Sequence, residues 1–142
     1  KCQELKADYI INSATTDPVK KIQELTNNQG ADIAIDALGS EQTAIQSVLS
    51  LKRRGKHLQL GLLLTSTNTT PMPMARTIAY ELDLLGSHGM AAVDYAQMLQ
   101  LISTGKLNPQ QLITKKVKLE EGPELLKNLD KNPSTGVVIL NP

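Results

Sequence analysis

The sequence predicts an α/β fold built on a parallel sheet. Three observations carry this. Strand-like runs alternate along the chain with helical segments of about ten residues, the rhythm of βαβ units. Residues 31–38, Ala-Asp-Ile-Ala-Ile-Asp-Ala-Leu, are apolar apart from two Asp, as suits a strand covered on both faces. Three strand-like runs end in glycine-bearing turns, at Asp36-Ala37-Leu38-Gly39-Ser40, Gly61-Leu62-Leu63 and Gly86-Ser87-His88-Gly89. Function in such sheets gathers at the carboxyl ends of the strands.

Residues 1–6 are polar and helical in pattern and run directly into residues 7–12, a strand pattern. A chain that opens inside a helix, without Met, is expected to be part of a longer one. Asp17-Pro18 reads as a helix N-cap followed by Pro at the first helical position, and Val19, Ile22 and Leu25 then recur on one helix face. Asn27, Asn28 and Gly30 stop that helix. After strand 31–38, Gly39-Ser40 turns the chain and Ser40 caps a helix whose Ile45, Val48 and Leu49 point inward. Lys52, Arg53 and Arg54 read as the solvated C-terminus of this helix, where the dipole favours cations, with an anion site as the other reading; Gly55 terminates it. Residues 57–62 are the third strand. A loop over 63–73 is dense in Ser, Thr, Asn and Pro, residues 74–80 form a short helix, and residues 81–87 form the fourth strand. Residues 92–104 make a helix with Tyr95, Met98, Leu99 and Ile102 as a core stripe, ended by Gly105. A strand at 112–117, a helix around 121–129 and a last strand at 136–140 follow. There is no internal repeat.

The chain has 142 residues, 40% hydrophobic and 20% charged, enough for a domain with a real core. It has neither Trp nor Phe, so that core is Leu, Ile, Val, Ala and Met. A net charge of +1 offers no field for nucleic acid. No apolar run is long enough to span a bilayer, and residues 1–12 show neither a long apolar stretch nor a cleavage site. Cys2 is the single cysteine, which fits a reducing compartment and a cytoplasmic location.

The candidate chemistry sits at the strand ends, and each residue has two readings. Gly39, Gly61, Gly86 and Gly89 are either turn residues or places where a planar ligand approaches the backbone. No Gly-x-Gly-x-x-Gly or Walker loop is present, so a phosphate cradle, if one exists, is expected outside this chain. Cys2, His57 and His88 are too dispersed for a zinc site. His57 reads as a surface residue, Cys2 as inert packing, and His88 as a loop residue or a pocket lining. Ser47, Ser50 and Ser66 lie in no nucleophile elbow. Asp32 and Asp36 share a strand face; Asp36 either binds backbone N–H groups or touches a ligand hydroxyl.

These segments carry a resemblance. Leu5-Lys6-Ala7-Asp8-Tyr9-Ile10-Ile11-Asn12 is similar to the Leu-Gly-Ala-Asp-x-Val-Ile-Asn stretch of medium-chain, zinc-dependent alcohol dehydrogenases. Gly30 to Ser40 matches the segment that follows in that family. Arg54-Gly55-Lys56, Leu60-Gly61-Leu62, Glu81-Leu82 with Leu85-Gly86-Ser87, and Gly136-Val137-Val138-Ile139 fall in the family's order, so the resemblance covers essentially the whole chain. It implies half of a doubly wound parallel Rossmann-type sheet (residues 1–87) followed by a C-terminal segment of the catalytic domain (residues 88–142). The parent would transfer hydride between an alcohol or aldehyde and NAD(P), with zinc held by ligands outside this chain; the fragment alone would be inactive. Ala37, Leu38 and Gly39 would lie against the adenosine and ribose. Gly61 and Leu62 would flank the nicotinamide ribose, and the backbone of Leu60, Ser87 and Gly89 would bind the carboxamide. The family also implies a homodimer or homotetramer through the edge strand at 81–87. Two departures stand out: Lys6 replaces a Gly, and Val137 stands where many members place a pyrophosphate-binding Arg. A zinc-free reductase of the quinone reductase type, and a non-catalytic binding or scaffold fragment, are the alternatives.

Overall fold

In the computed structural model the described residues are 2–64, 69–129, 131 and 135–142. They divide into two compact units, Cys2–Gly89 and Met90–Pro142.

The first unit begins with turns rather than the expected helix and strand. Cys2 is exposed in one of these turns instead of packed. Residues 7–12 form no strand, because among the described residues no neighbour offers them a ladder; Tyr9 and Ile10 are exposed. Helix α1, Pro18–Leu25, starts as its sequence dictates. Asp17 Oδ1 accepts from the N–H of Val19 (3.0 Å) and of Lys20 (3.3 Å), and Pro18 opens the first turn. A cap of this kind contributes about 1 kcal/mol.

Strand β1, Ala31–Asp36, leads to helix α2, Glu41–Leu49, strand β2, Leu51–Gln59, helix α3, Met74–Tyr80, and strand β3, Asp83–Gly86. The three strands form one parallel sheet in the order β1-β2-β3. Ser40 and Thr43 form a capping box at the start of α2, each side chain accepting from the other's backbone N–H. Ala44, Val48 and Leu51 are fully buried and Leu82 nearly so, with Ala34, Met72 and Tyr80 against them.

Several expectations are corrected here. Lys52, Arg53 and Arg54 do not end a helix. Burial of Leu51 starts β2 directly after the Ser50 C-cap, so these cations lie in the strand, Lys52 paired with Asp32. Arg53 and Arg76 both stack on Tyr80 and donate to the carbonyls of Ala79 and Leu51. Strand β1 ends at Asp36 and β2 at Gln59, each short of its expected end, because the chain turns there to bring two loops together. Among the described residues the sheet is not covered on both faces. Register places Ala34, Asp36, His57 and Gln59 on one face and Ile33, Ile35 and Leu58 on the other. Helix α2 covers the first; Ile33 and Ile35 are 59% and 57% exposed on the second. The expected loop at 63–73 lies partly outside the described residues, as does Ser66.

The second unit holds a 3-10 turn at Ala92–Asp94, helix α4 at Tyr95–Ser103, strand β4 at Ile113–Lys118, helix α5 at Gly122–Lys127 and strand β5 at Val137–Asn141. Strands β4 and β5 pair in parallel. The expected core stripe of α4 is not buried. Tyr95 and Leu99 are exposed and Met98 and Ile102 half-buried, since a unit with one two-stranded sheet has too little mass to close over it. Leu125, Leu129, Val138 and Leu140 line an open groove of about 1000 Å³. No described helix is long and apolar enough to cross a membrane.

Candidate functional site at the strand ends

Asp36 closes β1 and organises everything beyond it. It is 4% exposed, yet its carboxylate is fully engaged. Oδ1 accepts from the N–H of Leu38 (2.9 Å), the N–H of Gly39 (3.1 Å) and the hydroxyl of Thr43 (3.1 Å); Oδ2 accepts from Gln59 Nε2 (2.9 Å). Burial alone would raise its pKa, but the donors from Gln59, Gly39, Leu38 and Thr43 outweigh it and hold the group below the usual carboxylate value. Of its two readings, the carboxylate that fixes backbone N–H groups is the one the geometry supports.

Gln59 closes β2 beside it. Its Nε2 donates to Asp36 Oδ2 and to the carbonyl of Gly61 (2.8 Å), and its Oε1 faces His57 Nε2 at 3.0 Å. The other imidazole nitrogen, Nδ1, is 2.9 Å from the Ser47 hydroxyl on α2. His57 is therefore no surface residue: at 2% exposure it is a fully partnered core histidine. Alternation explains the error. His57 and Gln59 share the face that α2 covers, and a strand start elsewhere would have left His57 in water. Gln59 and Thr43 stand outside the sequence-based candidates, and Ser47, considered among them only as a nucleophile, is instead a partner of His57. The one available signal was two polar residues spaced by two on the same face as Asp36.

The turns beyond the three strands lie at one end of the sheet, and the expected residues fall on them: Ala37, Leu38 and Gly39 after β1, Leu60, Gly61 and Leu62 after β2, Ser87 and Gly89 after β3. The first two turns touch through backbone. The N–H groups of Leu60 and Gly61 both reach the Asp36 carbonyl at 2.9 Å. A Cβ on Gly61 would stand 2.2 Å from Gly39 N, and one on Gly39 (φ +82°) would stand 2.4 Å from the Leu62 carbonyl oxygen. The room these glycines leave is thus taken by each other's backbone. At Gly86 and Gly89 a Cβ would meet nothing within 4 Å. The third turn is tied to the second by Ser87 N–H on the Gln59 carbonyl, 3.0 Å.

These bonds decide which backbone groups remain open. With Gly61 N–H aimed at β1, the Leu60 carbonyl points the other way across the same trans peptide. Among the described residues, the carbonyls of Leu60 and Ser87 and the N–H of Gly89 have no hydrogen-bond partner. Leu38, Leu60 and Leu62 are 74%, 43% and 59% exposed around them, an apolar rim at a strand end. Ala37 and Leu38 also line a cleft of about 420 Å³ with Asp36, Thr43 and Ser47. His88 is exposed. Among the described residues no three His, Cys, Asp or Glu side chains stand together as a metal site, so the residues present do not fit zinc.

Residues 1–104 match the zinc-binding dehydrogenase family. The NAD-dependent alcohol dehydrogenase of Sulfurisphaera tokodaii is 31% identical over 137 residues, which are 96% of this chain and 38% of that protein. The probable D-xylulose reductase A of Emericella nidulans is 30% identical over 129 residues, 91% of this chain and 35% of that one. The crystal structure of the alcohol dehydrogenase from the hyperthermophilic archaeon Aeropyrum pernix superposes with a TM-score of 0.81 at 27% identity, covering 99% of this chain and 38% of that chain. This chain spans little more than a third of the length of these relatives. With a parallel sheet of the Rossmann type and a family match over most of its length, the chain belongs to the zinc-binding dehydrogenases.

Proposed function

We propose that this chain forms the nicotinamide side of the cofactor groove in an NAD-dependent dehydrogenase acting on an alcohol or its carbonyl product. One observation carries the reading: two open carbonyls, Leu60 and Ser87, beside one open N–H, Gly89. A primary carboxamide has two N–H donors and one carbonyl acceptor, the complement of that set. Bound across these groups, the nicotinamide ring has a fixed face toward the substrate. Leu60 and Leu62 supply apolar walls beside it, which limit water around the reacting carbon. Ala37, Leu38 and Gly39 would lie against the adenosine and ribose portions of the cofactor, and Gly61 and Leu62 would flank the nicotinamide ribose. Bound NAD supplies the hydride acceptor.

Relatives named as NAD-dependent alcohol dehydrogenase and D-xylulose reductase support an alcohol or polyol substrate. The family description implies zinc in the whole protein, a Lewis acid for the alcohol oxygen. No described residue of this chain is assigned to it. We assign residues 1–87 to the cofactor-binding domain and 88–142 to the catalytic one. Strand β3, at the sheet edge with Leu84 and Leu85 exposed, supports pairing with a second copy of the chain.

The test is a fluorescence titration of the intact protein with NADH, followed by an absorbance assay of alcohol-dependent NAD reduction. Saturable one-site binding with turnover is expected. An intact, zinc-loaded protein that binds no NADH overturns the reading.

A further inference from the structure

We propose that Gln59 is a positioning residue for the carboxamide subsite, held in a single amide orientation by the Ser47–His57 pair beneath it. The proposal rests on the assignment of Leu60, Ser87 and Gly89 to the carboxamide.

The amide of Gln59 can sit only one way round. Its nitrogen faces two acceptors, Asp36 Oδ2 at 2.9 Å and the Gly61 carbonyl at 2.8 Å. A flipped amide would set oxygen against oxygen at both places. Its oxygen must then accept from His57 Nε2, which fixes the proton on that nitrogen. In the neutral ring Nδ1 is left as an acceptor, and the Ser47 hydroxyl donates to it. All of this is buried or half-buried, so a missing partner would not be replaced freely by water.

The consequence reaches the open groups directly. The side chain of Gln59 holds the Gly61 carbonyl, its backbone carbonyl holds Ser87 N–H, and Asp36, which it also anchors, holds the N–H of Leu60 and Gly61 through its own backbone. Gln59 thereby touches both turns that present the Leu60 and Ser87 carbonyls. It reaches the adenosine-side turn only at one remove, through Asp36 Oδ2, while the N–H groups of Leu38 and Gly39 and the Thr43 hydroxyl are held by the other oxygen, Oδ1, which Gln59 does not bond. Loss of its side chain should therefore loosen the nicotinamide end of the groove and spare the adenosine end.

The experiment measures calorimetric affinities of the intact protein for three probes: NADH, ADP-ribose, which lacks the nicotinamide, and the reduced acetylpyridine analogue, in which a methyl replaces the carboxamide nitrogen and both its donors. The wild type should prefer NADH over the analogue. In Gln59→Met, NADH affinity should fall about tenfold, ADP-ribose affinity should hold within about twofold, and the preference for NADH over the analogue should shrink toward unity. Ser47→Ala, a milder change at the far end of the chain of bonds, should weaken NADH about threefold with ADP-ribose unchanged, and it serves where Gln59→Met does not fold. Equal NADH affinity in variant and wild type, or equal loss for NADH and ADP-ribose, overturns the proposal. A wild type that binds ADP-ribose but shows no preference for NADH over the analogue overturns the carboxamide assignment itself, and the positioning role with it.

Discussion

Gly39 and Gly61 occupy each other's side-chain space. An added Cβ at Gly61 would lie 2.2 Å from Gly39 N and 2.5 Å from the Leu38 carbonyl carbon, both backbone atoms that cannot swing aside. The turn after β1 and the turn after β2 are thus built as one unit, and the backbone course of residues 60–62 depends on the absence of a side chain at Gly61.

A Gly61→Val change should therefore act before any cofactor is present. The intact apo protein should lose roughly 1–3 kcal/mol of stability from overpacking. Thermal melting without cofactor measures this. An unchanged melting temperature with a large loss of NADH affinity would mean that the side chain points into the groove instead.

Asp36 makes a pH prediction with a definite sign. Its pKa in the folded chain lies below the ordinary 3.8, so it contributes stability above that value and loses it as pH falls through the folded pKa. Asp32, held down by half-buried Lys52, shifts in the same direction but is itself exposed and adds little. Asp36→Asn should cost about 1–3 kcal/mol at neutral pH, because an amide N–H then faces the Gln59 N–H. Urea melts of both proteins from pH 7 down to about pH 3 should show the acid-side slope of the wild type flattened in the variant. Parallel slopes would place the acid sensitivity in other carboxylates.

Much of this was legible in the sequence. The Asp17-Pro18 cap, the Ser40 cap and the helix at 74–80 are local signals, read from one or two residues each, and they form where expected. The glycine turns after β1, β2 and β3 do lie together at one end of the parallel sheet. What escaped was the polar layer beneath it. His57, Gln59 and Asp36 meet only through strand register, with Asp36 beside Gln59 and Ala34 beside His57, and register is a property of two strands, not of either one. The strand at 7–12 and the stripe on α4 failed for the opposite reason: the local pattern is present, but no partner among the described residues of the same unit buries it.

Leu84→Pro tests the edge of the sheet. Ser87 N–H binds β2, so by alternation the N–H groups of Leu85 and Asp83 also face β2 and that of Leu84 faces the free edge. Asp83, the only charge on β3, is paired with Lys56 at 3.3 Å and so guards the edge weakly. Proline at 84 removes an outward donor without breaking the ladder to β2. Light scattering of the intact protein should show smaller particles than the wild type, with native-like circular dichroism. A folded variant of unchanged mass would place the subunit contact elsewhere.

The central claim is that the strand-end backbone reads a nicotinamide carboxamide. A crystal structure of the intact protein with NADH tests it most directly. The account predicts the carboxamide nitrogen about 3 Å from the carbonyl oxygens of Leu60 and Ser87 and the carboxamide oxygen about 3 Å from the N–H of Gly89. A nicotinamide ring seated away from all three groups, in a protein that still turns over, would contradict it.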